Sequence, residues 1–259
     1  LAYMYNTIKD KRSQDIKNLI FLFKKTLGDT LKKNILITGC SSGLGLALTK
    51  FYLEKGFKVF GISRQKPDIT SENFIFHSCN LSNTSNIKNE LSFFIQEIKE
   101  IEIVYLNAGM LGVIKEMVNL SLDDLKITMD LNVYANKELL DILSTIKVKN
   151  IIAISSGAAV NGSKGWGPYS LSKASLNMLI NLYAKEMIDT KLLCVAPGVI
   201  KTPMTDYIRY QVDDTIYTSA KVLKEGFIQT PQIAASKLDN VVNRIDEFES
   251  GLFIDIRNI

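Results

Sequence analysis

Asn34-Ile35-Leu36-Ile37-Thr38 is a short β-rich run that stops on Thr38-Gly39-Cys40-Ser41-Ser42-Gly43-Leu44-Gly45, and a helical period follows from Leu44 to Lys55. Strand, glycine turn and helix in immediate succession admit few folds, because each glycine has a separate steric task. Gly39 suits the tight turn. Gly43 lets a diphosphate approach the backbone at the helix N-terminus, where free N–H groups and the helix dipole favour anions. Gly45 allows close packing of helix on sheet. The spacing differs by one residue from G-x-G-x-x-G, and no Lys follows the last glycine, so this is not a Walker A loop.

The same alternation continues along the chain. Apolar β-prone runs are expected as strands at 58–63, 73–79, 101–106, 149–155, 191–195 and 252–256. Helical patterns separate them at 82–99, 120–146 (one helix or two), 168–188 and 231–247, while 202–226 reads as irregular or helical. Strands alternating with helices imply βαβ units with right-handed crossovers. Continuous apolar strands imply a sheet covered on both faces. The expected fold is α/β: a Rossmann-type doubly wound parallel sheet of seven strands in one domain, 34–259. Residues 1–33 form an N-terminal extension in which Asp15 to Leu27 suits a short amphipathic helix.

Composition removes several function classes. The 259 residues are 46% hydrophobic with a net charge of +4 spread along the chain, and no basic tract supports nucleic-acid binding. Leu19-Ile20-Phe21-Leu22-Phe23 is too short to cross a membrane, and no small-residue cleavage site follows it. Three cysteines, Cys40, Cys79 and Cys194, lack paired spacing, which argues for core thiols and a reducing cytoplasm. His77 is the sole histidine and falls in a strand-like run; this excludes two-histidine zinc sites and argues against a Ser-His-acid triad. No metal is expected, and acid–base chemistry must fall to another residue.

Tyr169 and Lys173 offer that residue. They stand four apart just after Pro168, on one face of the expected helix and one turn from each other. A fixed cation favours phenolate over phenol, so Lys173 is expected to lower the Tyr169 pKa toward neutral. Ser156, at the end of the strand-like run 150–154, can meet the same substrate oxygen at one sheet edge.

In order and at matching spacings, Thr38-Gly39 with Gly43 and Gly45, Asn107-Ala108-Gly109, Asn132, Ser156, Tyr169, Lys173, and Pro197-Gly198 with Thr202 resemble the short-chain dehydrogenase/reductase family from residue 34 onward. Ser156-Gly157-Ala158-Ala159, Lys164-Gly165-Trp166, Ala196-Pro197-Gly198-Val199 with Thr202 and Met204, and Ser250-Gly251 with Ile254-Asp255 are most similar to the sepiapterin reductase and bacterial benzil reductase branch.

The resemblance implies roles. Tyr169 is the general acid, Lys173 holds the nicotinamide ribose, and Ser156 polarises the carbonyl. Asn132 exposes a backbone carbonyl and anchors a water leading to Lys173. The cofactor lies on Gly39, Ser41, Ser42, Gly43, Leu44 and Gly45. It continues past Asn80 and Leu81, then Asn107, Ala108 and Gly109, to Tyr169 and Lys173. Pro197, Gly198, Val199, Ile200 and Thr202 close its nicotinamide end.

At the end of the second strand stand Ser63 and Arg64, where NAD-preferring relatives carry an acid. A hydroxyl and a guanidinium suit a 2′-phosphate, so NADP(H) is expected, with NAD(H) as the alternative. Two departures run the other way: Ser42 replaces a basic residue and Asn80 replaces an acid. Trp166, Met110, Met204 and Tyr207 suggest an apolar wall, Asp255 a pterin anchor, and 203–230 a lid.

The expected activity is NADPH-dependent reduction of a small ketone, diketone or pterin-like carbonyl. The alternatives are an NAD(P)+-dependent alcohol or sugar dehydrogenase and a non-catalytic nucleotide-sensing regulator. Surplus apolar residues in 120–146 and 168–188 imply a homodimer or homotetramer.

Overall fold

In the computed structural model, which describes residues 33–259, β1 (Asn34–Thr38) lies inside a sheet whose other strands are β2 (Lys58–Ser63), β3 (Phe74–Ser78), β4 (Glu100–Leu106), β5 (Lys147–Ile154), β6 (Lys191–Ala196) and β7 (Phe253–Asp255). The seven strands run parallel in the order β3-β2-β1-β4-β5-β6-β7. The helix expected at 15–27 lies outside the described residues.

Parallel strands need crossovers, and the helices provide them. They are α1 (Gly43–Glu54), α2 (Ile87–Gln96), α3 (Leu122–Met129), α4 (Ala135–Leu143), α5 (Gly167–Glu186), α6 (Pro203–Gln211), α7 (Thr218–Glu225) and α8 (Pro231–Asn243). Two apolar cores result, one on each sheet face. Leu36, Val104 and Ile151 face α2, α4 and α5 on one side, with Leu91, Leu139 and Ile180. Ile35, Tyr105 and Ile152 face α1 and α8 on the other, with Leu48, Ala235 and Leu238. Adjacent residues of each strand serve opposite cores, which is the period-2 geometry of a doubly covered strand.

The expected elements agree with the observed ones to within a few residues, and two segments left open by the sequence take definite form. The 120–146 segment is two helices joined by a π-helical turn at Asp130–Tyr134. The 202–226 segment forms α6 and α7, with Thr202 accepting from the Thr205 N–H at 3.3 Å to cap the first of them. His77 lies in β3 with its ring 4.8 Å from Phe94, and all three cysteines are buried and free.

Strand order reverses direction between β1 and β4, and a crevice opens there at the carboxyl ends. Backbone pairing of these two strands ends at Ile37 and Tyr105. Beyond it, side chains take over. Thr38 Oγ1 accepts from Asn107 N at 2.9 Å and Ala108 N at 3.0 Å, and Asn107 Nδ2 donates to Thr38 O at 2.9 Å.

Candidate active site

Six of the segments singled out from the sequence reach the carboxyl edge of the sheet. The glycine loop follows β1, Ser63-Arg64 ends β2, Asn80 follows β3, Asn107 β4, Ser156 β5 and Pro197 β6. They line one cleft of about 1090 Å³, with Arg64 towards one end and Trp166 and Met204 among the residues of the other.

At the glycine loop, Gly39 has φ +69° and its N–H donates to Ile62 O at 2.7 Å. A Cβ on Gly45 would stand 2.1 Å from the Gly39 carbonyl oxygen, so no larger residue fits where α1 meets the loop. No side chain caps the start of α1, and its first turn carries no acid. Those open N–H groups suit a diphosphate. Arg64 is exposed, and among the described residues it makes no ion pair. Among the described residues no aspartate or glutamate lines the cleft, whereas Arg64, Lys173 and Arg257 do. The residues present therefore fit an anionic dinucleotide. The Ser63 hydroxyl donates to Gln65 O at 2.6 Å, which leaves Arg64 as the residue of that pair free to meet a phosphate.

Tyr169, Lys173 and Ser156 meet over the crevice. Pro168 sits in the first turn of α5, where its missing N–H costs nothing, and Tyr169 follows it. Lys173 Nζ lies 5.7 Å from the Tyr169 ring centre and donates to Ile154 O at 2.7 Å. The expected depression of the Tyr169 pKa by Lys173 does not hold. Burial pushes the phenol above its usual value, and Ser156 is the neighbour that favours the phenolate. Burial likewise pushes the Lys173 ammonium down to about 8, against a smaller opposing pull from Cys194. Desolvation dominates at the phenol, and the hydrogen bond of the nearby ammonium goes to the Ile154 carbonyl.

Asn132 occupies the π-helical turn, fully buried. Its amide clasps the β4 loop: Oδ1 accepts from Met110 N and Nδ2 donates to Met110 O, both at 2.8 Å, and Nδ2 also donates to Ser172 Oγ at 2.9 Å. Its backbone carbonyl, expected to be open, accepts from Asn136 Nδ2 at 2.8 Å. Gly109 fits between Asn132 and Lys173: a Cβ there would lie 3.2 Å from Asn132 Oδ1 and 3.5 Å from Lys173 Nζ.

At the far end, Trp166, Met110 and Met204 line the cleft, joined by Leu223 and Val222 of α7. Trp166 packs edge-on to Tyr169 with ring centres 6.0 Å apart. Tyr207 is exposed and stands outside the lining. Lys164 pairs with Glu116 at 3.1 Å and lies 6.0 Å from the Tyr217 ring centre, so the segment before α5 is clamped from two sides.

Asp255 does not line the cleft; Arg257 does. Arg257 Nε and Nη2 donate to the two Asp255 carboxylate oxygens at 2.9 and 2.5 Å. The acid expected to anchor a pterin is thus engaged on both oxygens. Arg257 and Gln229 were missed in the sequence. Gln229 Nε2 donates to Pro197 O, and its backbone accepts from Lys201 N and donates to Val199 O, which pins the turn after β6. Arg257 carried one signal, its period-2 spacing from Asp255 at a strand end; Gln229 carried none.

The sequence profile described as short chain dehydrogenase matches residues 33–213. The benzil reductase ((S)-benzoin forming) of Bacillus subtilis (strain 168) is 31% identical over 240 residues, covering 86% of this chain and 97% of that protein. The benzil reductase of Bacillus cereus is 30% identical over 245 residues, covering 86% and 98%. A short chain dehydrogenase family protein from Francisella tularensis subsp. tularensis SCHU S4 superposes with a TM-score of 0.76 at 22% identity, covering 87% of this chain and 97% of that one.

The lowered Lys173 pKa has a consequence for stability. Below pH 8 both folded and unfolded states carry the charge, and the fold bears the full cost of burying it. Between about 8 and the ordinary 10.5 the folded state sheds its proton first, so this cost is relieved as pH rises. The shift is worth at most about 3 kcal/mol; losing the hydrogen bond to Ile154 offsets roughly 1 kcal/mol. Lys173→Met is expected to be more stable than the wild type by about 1–2 kcal/mol at pH 7. In urea denaturation that gain should shrink between pH 8 and 10.5; a gain constant across this window contradicts the burial of a charged Lys173.

Proposed function

The chain belongs to the short-chain dehydrogenase/reductase family and is an NAD(P)-dependent oxidoreductase, and from that premise we propose that it reduces a ketone or diketone at the expense of NADPH, with Tyr169 as general acid. The observation that carries this is the convergence of Ser156, Tyr169 and Lys173 on the cleft that the glycine loop opens. When bound, the nicotinamide dinucleotide would supply the hydride for the carbonyl carbon. The chain supplies the rest. The Ser156 hydroxyl donates toward the carbonyl oxygen, and Tyr169 delivers the proton as charge develops there. A phenol whose pKa burial has raised stays protonated at neutral pH, which suits an acid in the reducing direction. Lys173, held on Ile154 O and mostly charged at pH 7, faces the developing anion across the tyrosine ring.

Arg64 supports NADPH over NADH, since a guanidinium at the end of β2 attracts a 2′-phosphate, and among the described residues it has no ion-pair partner and no cleft carboxylate repels the phosphate. The ion pair at Asp255 supports a ketone or diketone over a pterin, because no free acid remains to hold the pterin ring nitrogens. The apolar stripe Leu171, Met178 and Leu182 along α5, exposed by 44, 60 and 52%, supports self-association through that helix face.

Three measurements test these points. Tyr169→Phe is expected to lower kcat for NADPH-driven reduction of a diketone such as benzil by about 10²–10⁴-fold, with NADPH affinity retained; unchanged turnover refutes the acid role. Arg64→Ala is expected to raise the NADPH KM roughly tenfold or more while moving the NADH KM little; a wild type that prefers NADH refutes the cofactor choice. Light scattering should report a dimer or tetramer of the 29.0 kDa chain, dissociated by Met178→Glu, whereas a monomeric wild type at micromolar concentration refutes the α5 contact.

A further inference from the structure

Of the three cations that line the cleft, two have evident tasks, Arg64 at the nucleotide end and Lys173 beneath Tyr169. Arg257 has none in the chemistry above. Its position is well defined by two glycines. Nη2 lies 3.3 Å from the place a Cβ on Gly157 would take, and Cδ and Cγ lie 3.6 and 3.7 Å from that of Gly198. Gly157 follows Ser156, and Gly198 follows Pro197 at the end of β6. The guanidinium therefore reaches the catalytic end of the cleft, beside the serine that meets the carbonyl oxygen, where a side chain at Gly157 would crowd it.

Asp255 holds this guanidinium in place. Its side chain is 11% exposed, and it takes Nε and Nη2 in a fork with a further bond from the Arg257 N–H at 3.1 Å. A guanidinium has five N–H donors. Two point to Asp255, and among the described residues the others have no acceptor. The arginine side chain is 58% exposed, so those donors face the cleft and solvent. A planar fork held by a partly buried carboxylate and open on its other edge matches a second carboxylate in two-point contact.

We propose that Arg257 is a specificity-determining residue that selects ketones bearing a carboxylate beside the reacting carbonyl, that is, 2-oxo acids. This rests on the carbonyl-reductase function above. The carbonyl oxygen lies toward Ser156 and Tyr169, the carboxylate toward Arg257, and the remaining group against Trp166, Met204 and Leu223, which favours an aryl or branched aliphatic substituent. The carbonyl carbon gains a hydride from reduced nicotinamide and the oxygen a proton from Tyr169. The product is a 2-hydroxy acid whose carboxylate is unchanged.

A matched pair separates charge from shape: phenylglyoxylate and its methyl ester, compared by kcat/KM with NADPH. Arg257→Met is expected to lower the acid-to-ester ratio by about 10- to 100-fold, the loss of a charged hydrogen bond. Arg257→Lys should recover part of it. The double variant Asp255→Asn/Arg257→Met leaves no lone carboxylate and should match Arg257→Met, so that a fall in the ratio does not reflect a disturbed β7. Calorimetric titration of phenylglyoxylate into NADP+-saturated protein should weaken by the same factor.

A ratio unchanged within about twofold in both Met variants overturns the assignment, as does a wild type that does not bind phenylglyoxylate. A wild type that binds the acid through Arg257 but reduces neither compound nor benzil upholds the anion site and overturns the reductase function. Tyr169-dependent reduction of the ester with no effect of Arg257 does the reverse.

Discussion

The parting of β1 from β4 organises the molecule. Their ladder ends at Ile37 and Tyr105, and the next residues must leave the sheet while remaining in register. Thr38 and Asn107 replace the missing ladder with three side-chain hydrogen bonds between 2.9 and 3.0 Å, each worth roughly 0.5–1.5 kcal/mol net. Lost together, they would let the crevice close or slip. The glycine loop, the Asn107-Ala108-Gly109 turn and the α1 N-terminus all take their positions from this seam. Gly45 depends on it most directly, since its absent Cβ would meet both the Gly39 carbonyl at 2.1 Å and the Asn107 amide at 2.6 Å.

From the seam the candidate catalytic groups are reached through one buried amide. Asn132 ties Met110, beyond the β4 turn, to Ser172 of α5, and Ser172 in turn donates to the Tyr169 carbonyl at 2.8 Å. A π-helical turn places that amide, at the cost of interrupting what would otherwise be one helix. Burial then governs the electrostatics. It raises the phenol and depresses the ammonium, so the neutral tyrosine is the stable form while the lysine keeps a readily lost proton. Simple charge pairing along the helix face would push the phenol the other way, and it fails because four residues of helix set the spacing of the two Cβ atoms but not the direction of the lysine tip.

The same distinction runs through the substrate end. Trp166 and Met204 were legible as a wall because each is a large apolar residue close in sequence to a candidate site residue, Trp166 to Tyr169 and Met204 to Thr202. Asp255 was legible as an acid at a strand end. Its partner two residues on was passed over, although the pair inverts the local character of the cleft from acid to guanidinium. Gln229 was invisible for a stronger reason. It joins a loop thirty residues away, and nothing in the residues around it marks that contact.

The amino-acid sequence by itself determined the alternation of strands and helices, the parallel sheet, the glycine turn and the residue types of the candidate catalytic set. These follow from local steric preference and from apolar period, which are properties of short segments. Only the tertiary structure decided the strand order that opens the crevice, the π-helical turn at Asn132, the direction of Lys173 toward Ile154, and the capture of Asp255 by Arg257. Each of these depends on which backbone carbonyl, carboxylate or sheet edge lies across from a side chain after packing, and on how much water packing has removed. Neither quantity is carried by the order of residues along any one segment.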